Sequence, residues 1–176
     1  MAISARPAWV AGLILVLTIA APVSARAQDG DDRFIDHAVR QIACAYPPDP
    51  TAMLLYLNKT KRIDLKKGAR VDSETCWSLR PPLAIEGVRF THICASAEDP
   101  LLIELFPRLY YRGPGTSAGT GLRLITNAER PALDEWIKRI NERAMVKGDT
   151  KLVVGAPSFA EGKAEVSCNS RSFLGD

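Results

Sequence analysis

Histidine is nearly missing from this chain: His37 and His92 are the only two in 176 residues. Neither stands at ligand spacing from a second donor, and none of the four cysteines forms a Cys-x-x-Cys pair, so no zinc site is expected. No glycine loop ends in Gly-Lys-Ser/Thr, which removes the lysine a phosphate-cradling nucleotide loop needs. No cofactor is implied. An excess of one charge sign is lacking too, since 23 basic residues face 20 acidic ones. That balance argues against a general polyanion binder, and nucleic acid is not an expected partner. Internal repeats and low-complexity segments are absent from the sequence. Apart from Val10 to Ala21 there is no long apolar run, and those twelve residues fall short of the ~20 that cross a bilayer as a helix.

What the amino terminus does hold is the pattern of a secretory leader. Arg6 and the free amino group give a basic start, Val10 to Ala21 supplies the apolar run, and Ala25-Arg26-Ala27 places small residues where signal peptidase reads them. Residues 1–27 are expected to be removed, leaving 28–176 as a single exported domain, periplasmic or secreted, with no transmembrane segment. Loss of Arg6 and Arg26 takes the basic count from 23 to 21 against 20 acids, a net charge of +1. Cys44, Cys76, Cys94 and Cys168 all follow the cleavage site, and an even count in an exported chain favours two disulfides. Four cysteines allow three pairings. Folding Ser73 to Ala97 about Ile85 sets Cys76 against Cys94, Trp77 against Ile93, Ser78 against His92 and Arg80 against Phe90. A three-residue loop with Gly87 left-handed would instead slide Cys76 opposite Ser96. The first register leaves Cys44 and Cys168 to join the first helix to the last strand.

Periodicity sets the remaining elements. Phe34, Ile35, Ala38, Val39, Ile42 and Tyr46 share one helical stripe, with Cys44 in the last turn and Pro47-Pro48 as the stop. Gln28 to Asp32 reads as a frayed, polar lead-in. Asp49-Pro50 opens a second helix to about Thr60, in which Met53 to Leu57 is apolar all round and so is either buried or a strand. Asp99 caps a short helix over Leu101 to Phe106, and Asn127 caps a longer one to Val146 bearing Leu133, Trp136, Ile137, Ile140 and Ala144. Residues 63–80 and 88–97 read as a central ribbon, followed by Leu109 to Arg112, Leu122 to Thr126, Lys151 to Val154 and Ala164 to Cys168. The sum is an α+β fold: a mostly antiparallel sheet of five or six strands, two amino-terminal helices, and one helix from the second half packed on it. A parallel component around that last helix is allowed.

Three groups of residues could carry chemistry. Gly115-Thr116-Ser117-Ala118-Gly119 spells the G-x-S-x-G of a nucleophile elbow, but a strand rather than a helix follows and both histidines precede the serine. A serine hydrolase using Ser117 with His92, aided by Glu98 or Asp99, is therefore the alternative reading, and His92 has a plainer role bonded to Ser78 or a backbone carbonyl. Lys59, Lys61, Arg62, Lys66, Lys67 and Arg70 stand against one acid, Asp64, and could meet an anionic partner, although no aromatic residue interleaves and a solvated loop would look the same. The favoured surface is Tyr110, Tyr111, Arg112, Gly113, Thr116 and Ser117, where rigid aromatics precede an adaptable loop. Of the two adjacent tyrosines only one needs to point inward. The expectation is an exported, disulfide-stabilised, non-catalytic binding, inhibitory or accessory protein of the bacterial envelope. Its partner is an unknown protein or envelope component, and a monomer is the working expectation.

Overall fold

The computed structural model describes residues 24–114, 119–146 and 151–170. One six-stranded antiparallel sheet carries the fold, in the order β1-β2-β3-β4-β6-β5. Its strands are β1 (Ala69–Val71), β2 (Glu74–Ile85), β3 (Val88–Ser96), β4 (Gly121–Thr126), β5 (Val153–Gly155) and β6 (Ala164–Asn169). The helices are α1 (Ser24–Ile42), α2 (Thr51–Lys59), α3 (Pro100–Leu105) and α4 (Arg130–Arg143), with a 3-10 turn at Leu65–Lys67. The α+β class and both disulfides follow the sequence reading. No helix among the described residues is long and apolar enough to cross a membrane.

Alternation sorts the sheet into two faces. Trp77, Ile93, Leu124 and Val166 join the stripe of α1 (Phe34, Ala38, Val39, Ile42), the buried side of α2 (Met53, Leu54, Leu57) and the stripe of α4 (Leu133, Trp136, Ile140) in one core. Cys76, Cys94 and Ile125 lie on the other face under Val71 and Phe159. The two disulfides consequently serve different layers. Cys76–Cys94 staples β2 to β3, whereas Cys44–Cys168 ties the end of α1 to β6 across a separation of 124 residues.

The central hairpin keeps the first expected register at its open end and takes neither expected register near the turn. Cys76 does pair with Cys94, Trp77 with Ile93 and Ser78 with His92, but near the turn Leu83 pairs with Phe90 and Ile85 with Val88. Leu79 to Pro82 thus stand opposite the single Thr91, so Arg80 does not face Phe90. Two residues, not three, make the turn, with Glu86 and Gly87 both at positive φ (45° and 83°), as two-residue hairpin turns require. Pro81 and Pro82 cannot donate to a ladder, and they sit where β2, beyond its short pairing with β1, is an edge.

Several expected boundaries move. α1 already runs from Ser24, so Gln28 to Asp32 is helical rather than frayed, and Asp31 is anchored by the Tyr56 hydroxyl (2.9 Å) and Arg62 (3.4 Å). The helix stops at Ile42, because Cys44 is left-handed (φ 55°), and Tyr46 falls beyond the stripe. The expected strand over 63–80 breaks into the 3-10 turn, β1, a turn at Asp72-Ser73 and the start of β2. Glu129 rather than Asn127 precedes α4, since the Thr126 hydroxyl takes the Ala128 N–H, and α4 ends at Arg143. Residues 147–150, just past the expected end of that helix at Val146, lie outside the described residues. No parallel pair forms among the described strands: β6 inserts antiparallel between β4 and β5.

Candidate functional site

The tyrosine edge is not the open surface the sequence suggested. Leu109 to Arg112 forms a turn and coil, and Tyr110 is 1% exposed, its hydroxyl 2.8 Å from the Thr51 hydroxyl. Burial pushes the Tyr110 phenol up to about 12. Tyr111 donates its hydroxyl to the Asp72 carbonyl, while the Arg70 guanidinium lies 4.6 Å from its ring centroid. Gly113 comes so close to the same turn that a Cβ there would stand 1.8 Å from the Asp72 carbonyl oxygen. Tyr110, Tyr111 and Gly113 therefore clip the segment down, leaving Arg112 exposed. Thr116 and Ser117 lie outside the described residues.

His92 is half-buried on the disulfide face of the sheet. Its Nδ1 is 3.0 Å from the Thr91 hydroxyl rather than bonded to Ser78, and Phe159 meets the ring edge-on. Burial, helped by Lys163, lowers its pKa below the ordinary 6.5, so the ring is neutral at pH 7. Asp99 is occupied at the start of α3, accepting the Leu101 N–H (2.8 Å). His37 is half-buried against Tyr46 (3.3 Å) and Gln41 (3.5 Å). Glu74 lies beside Cys76 and Cys94, but a disulfide offers no thiolate to a metal.

The basic cluster is where the fold assembles something the sequence does not show. The chain leaving α2 turns back along the edge of β2, and a cavity of about 650 Å³ opens between them. Lys61, Arg62 and Lys67 line it from one side, and Trp77, Ser78 and Arg80 from the other. Lys59, Lys66 and Arg70 are not in its lining. Two of the four cations are held by acids: Arg62 by Asp31 (3.4 Å) and Lys67 by Asp64 (3.7 Å). Lys61 and Arg80 are exposed and form no ion pair among the described residues. A backbone bond from the Arg80 N–H to the Arg62 carbonyl (2.8 Å) fixes the two walls to each other.

Trp77 completes the arrangement. Its side chain is 1% exposed, and among the described residues its indole Nε1 has no hydrogen-bond partner. A buried N–H left unbonded costs about 1–3 kcal/mol. Trp136, the other core indole, has an acceptor in the Ile85 carbonyl (2.8 Å). Gly68 backs the indole closely, for a Cβ there would lie 2.6 Å from Nε1. The aromatic partner that seemed missing from Lys59 to Arg70 is thus supplied by β2, together with a fourth cation. The only linear hint of Arg80 was its place before Pro81-Pro82, which takes it out of the ladder.

No family model matches this chain, and neither a curated protein nor a solved structure is similar enough to match it.

Proposed function

We propose that this is an exported, disulfide-stabilised, non-catalytic binding protein whose ligand seat is the cationic cavity between the end of α2 and β2. The observation that carries the reading is one cavity lined by Lys61, Arg62, Lys67 and Arg80, of which Lys61 and Arg80 form no ion pair among the described residues. Arginine, lysine and tryptophan side chains donate hydrogen bonds and accept none, so their natural complement is an anion rich in acceptor oxygens. The volume lies within the ~300–1,000 Å³ typical of small-molecule sites. Two disulfides suit an oxidising compartment, in keeping with a leader over residues 1–27 and an envelope role as an accessory or inhibitory protein.

The test is a calorimetric titration of the processed protein with inorganic phosphate, inorganic sulfate and citrate. At least one should bind saturably, weaken as salt is added, and lose about tenfold in affinity in Lys61→Gln and in Arg80→Gln. Both side chains are exposed, so the variants should keep the fold. Binding of no anion, or binding unchanged in both variants, overturns the proposal.

A further inference from the structure

We infer, on the reading of this cavity as the ligand seat, that its ligand is a phosphate monoester on a sugar-sized polar body. Charge is the first argument. Four cations line the cavity, and Asp64 and Asp31 each engage one of them, leaving a local balance of +2. A phosphate monoester carries about −1.5 to −2 at pH 7, whereas a sulfate ester or a carboxylate carries one charge. The site is matched to a dianion.

Geometry is the second argument. A phosphoryl group presents three acceptor oxygens, enough to meet the fork of Arg80, the ammonium of Lys61 and a third donor at once. Arg62 and Lys67 line the same cavity and supply further donors, and the Trp77 indole forms part of its wall. The cavity is also far larger than one phosphate group. Ser78 and Asn58, which line it too, can both donate and accept, as sugar hydroxyls require.

A phosphate monoester could arrive free or on a lipid headgroup, and the experiment separates the two. The processed protein is titrated with a glucose monophosphate, the matching glucose sulfate and glucuronate, and the indole N–H resonances are followed. The phosphate should bind at least tenfold more tightly than the other two, with affinity rising as pH passes upward through the second phosphate ionisation near about 6. The Trp77 resonance should move while that of Trp136 stays, because only Trp77 lines the cavity. Lys61→Gln and Arg80→Gln should each lose tenfold or more.

Equal binding of phosphate, sulfate and glucuronate, all weakened in the variants, overturns the monoester assignment and leaves the cavity as an anion seat. A Trp77 resonance unmoved by every ligand, with no heat of binding, overturns both. For the source, phosphatidylcholine vesicles with and without phosphatidic acid are sedimented with the protein. Acid-dependent sedimentation that glucose monophosphate reverses identifies a lipid-borne monoester. Binding of the free sugar alone identifies a soluble one.

Discussion

Tyr110 shows how a choice left open by local alternation is made by tertiary packing. Alternation requires only one of Tyr110 and Tyr111 to face inward, and tertiary packing chose Tyr110 through its contact with Thr51. Because burial holds its phenol protonated to about 12, the folded state binds that proton more tightly than the unfolded chain does. The resulting stability is present below the ordinary value of 10 and is lost as pH rises toward 12. A spectrophotometric base titration should therefore show a tyrosine ionising as late as about 12, and Tyr110→Phe should abolish that late step while costing about 1 kcal/mol. Glu74 makes the corresponding case for an acid. Burial raises its carboxyl above 4.5 even though Arg123 is 3.2 Å away, and Glu165 adds to the rise. Its folded form keeps the proton longer, so this contribution is present below 4.5 and is lost as pH rises through the folded value. Glu74→Gln removes that loss and leaves Arg123 paired with Glu165, so the urea midpoint at neutral pH should hold or rise. A lower midpoint at neutral pH would show that the Glu74–Arg123 attraction outweighs desolvation.

At the scale of elements, the decisive events are backbone approaches and register changes. Gly113 passes so close to the Asp72 carbonyl that no side chain fits, and Tyr111 binds the same carbonyl. Gly113→Ala should cost at least ~2 kcal/mol, through overpacking or by freeing residues 109–114 from the β1–β2 turn. Thermal unfolding measures the cost, and faster proteolysis within that segment would identify the second route. The β2–β3 hairpin resolves a conflict of local signals in the same way. Glu86 and Gly87 form a two-residue turn while the disulfide holds Cys76 opposite Cys94, and a flat ribbon cannot satisfy both. Inserting Leu79 to Pro82 against Thr91 reconciles them, and the irregularity turns Arg80 toward the basic segment after α2.

For the whole molecule, the two disulfides differ in what they restrain. In the chain-entropy account, Cys44–Cys168, at a separation of 124, is worth ~4–5 kcal/mol and Cys76–Cys94, at 18, about 3 kcal/mol. Replacing Cys44 and Cys168 together by serine should therefore lower the denaturant stability more than replacing Cys76 and Cys94. The oxidised protein should weigh about 4 Da less than the reduced one, one hydrogen for each of four sulfurs. Equal losses from the two double variants would mean that strand stapling matters as much as loop closure.

The amino-acid sequence by itself determined most of the elements and the class of the fold. Period-two and helical stripes are local, so α4, β3, β4 and β6 could be read from neighbours along the chain, whereas the expected strand at Leu109 to Arg112 is turn and coil, and four cysteines in an exported chain pointed to two bridges with their pairing left open. It also showed the cluster from Lys59 to Arg70, because charge is visible without a fold. Only the tertiary structure decided that Lys61, Arg62 and Lys67 face a cavity while Lys59, Lys66 and Arg70 do not. Only it brought Trp77 and Arg80 to them from another strand, and buried Tyr110 against α2. The physical reason is the same in each case: a site is a meeting of segments distant in sequence, and their relative placement comes from register, bulges and packing that no local pattern encodes.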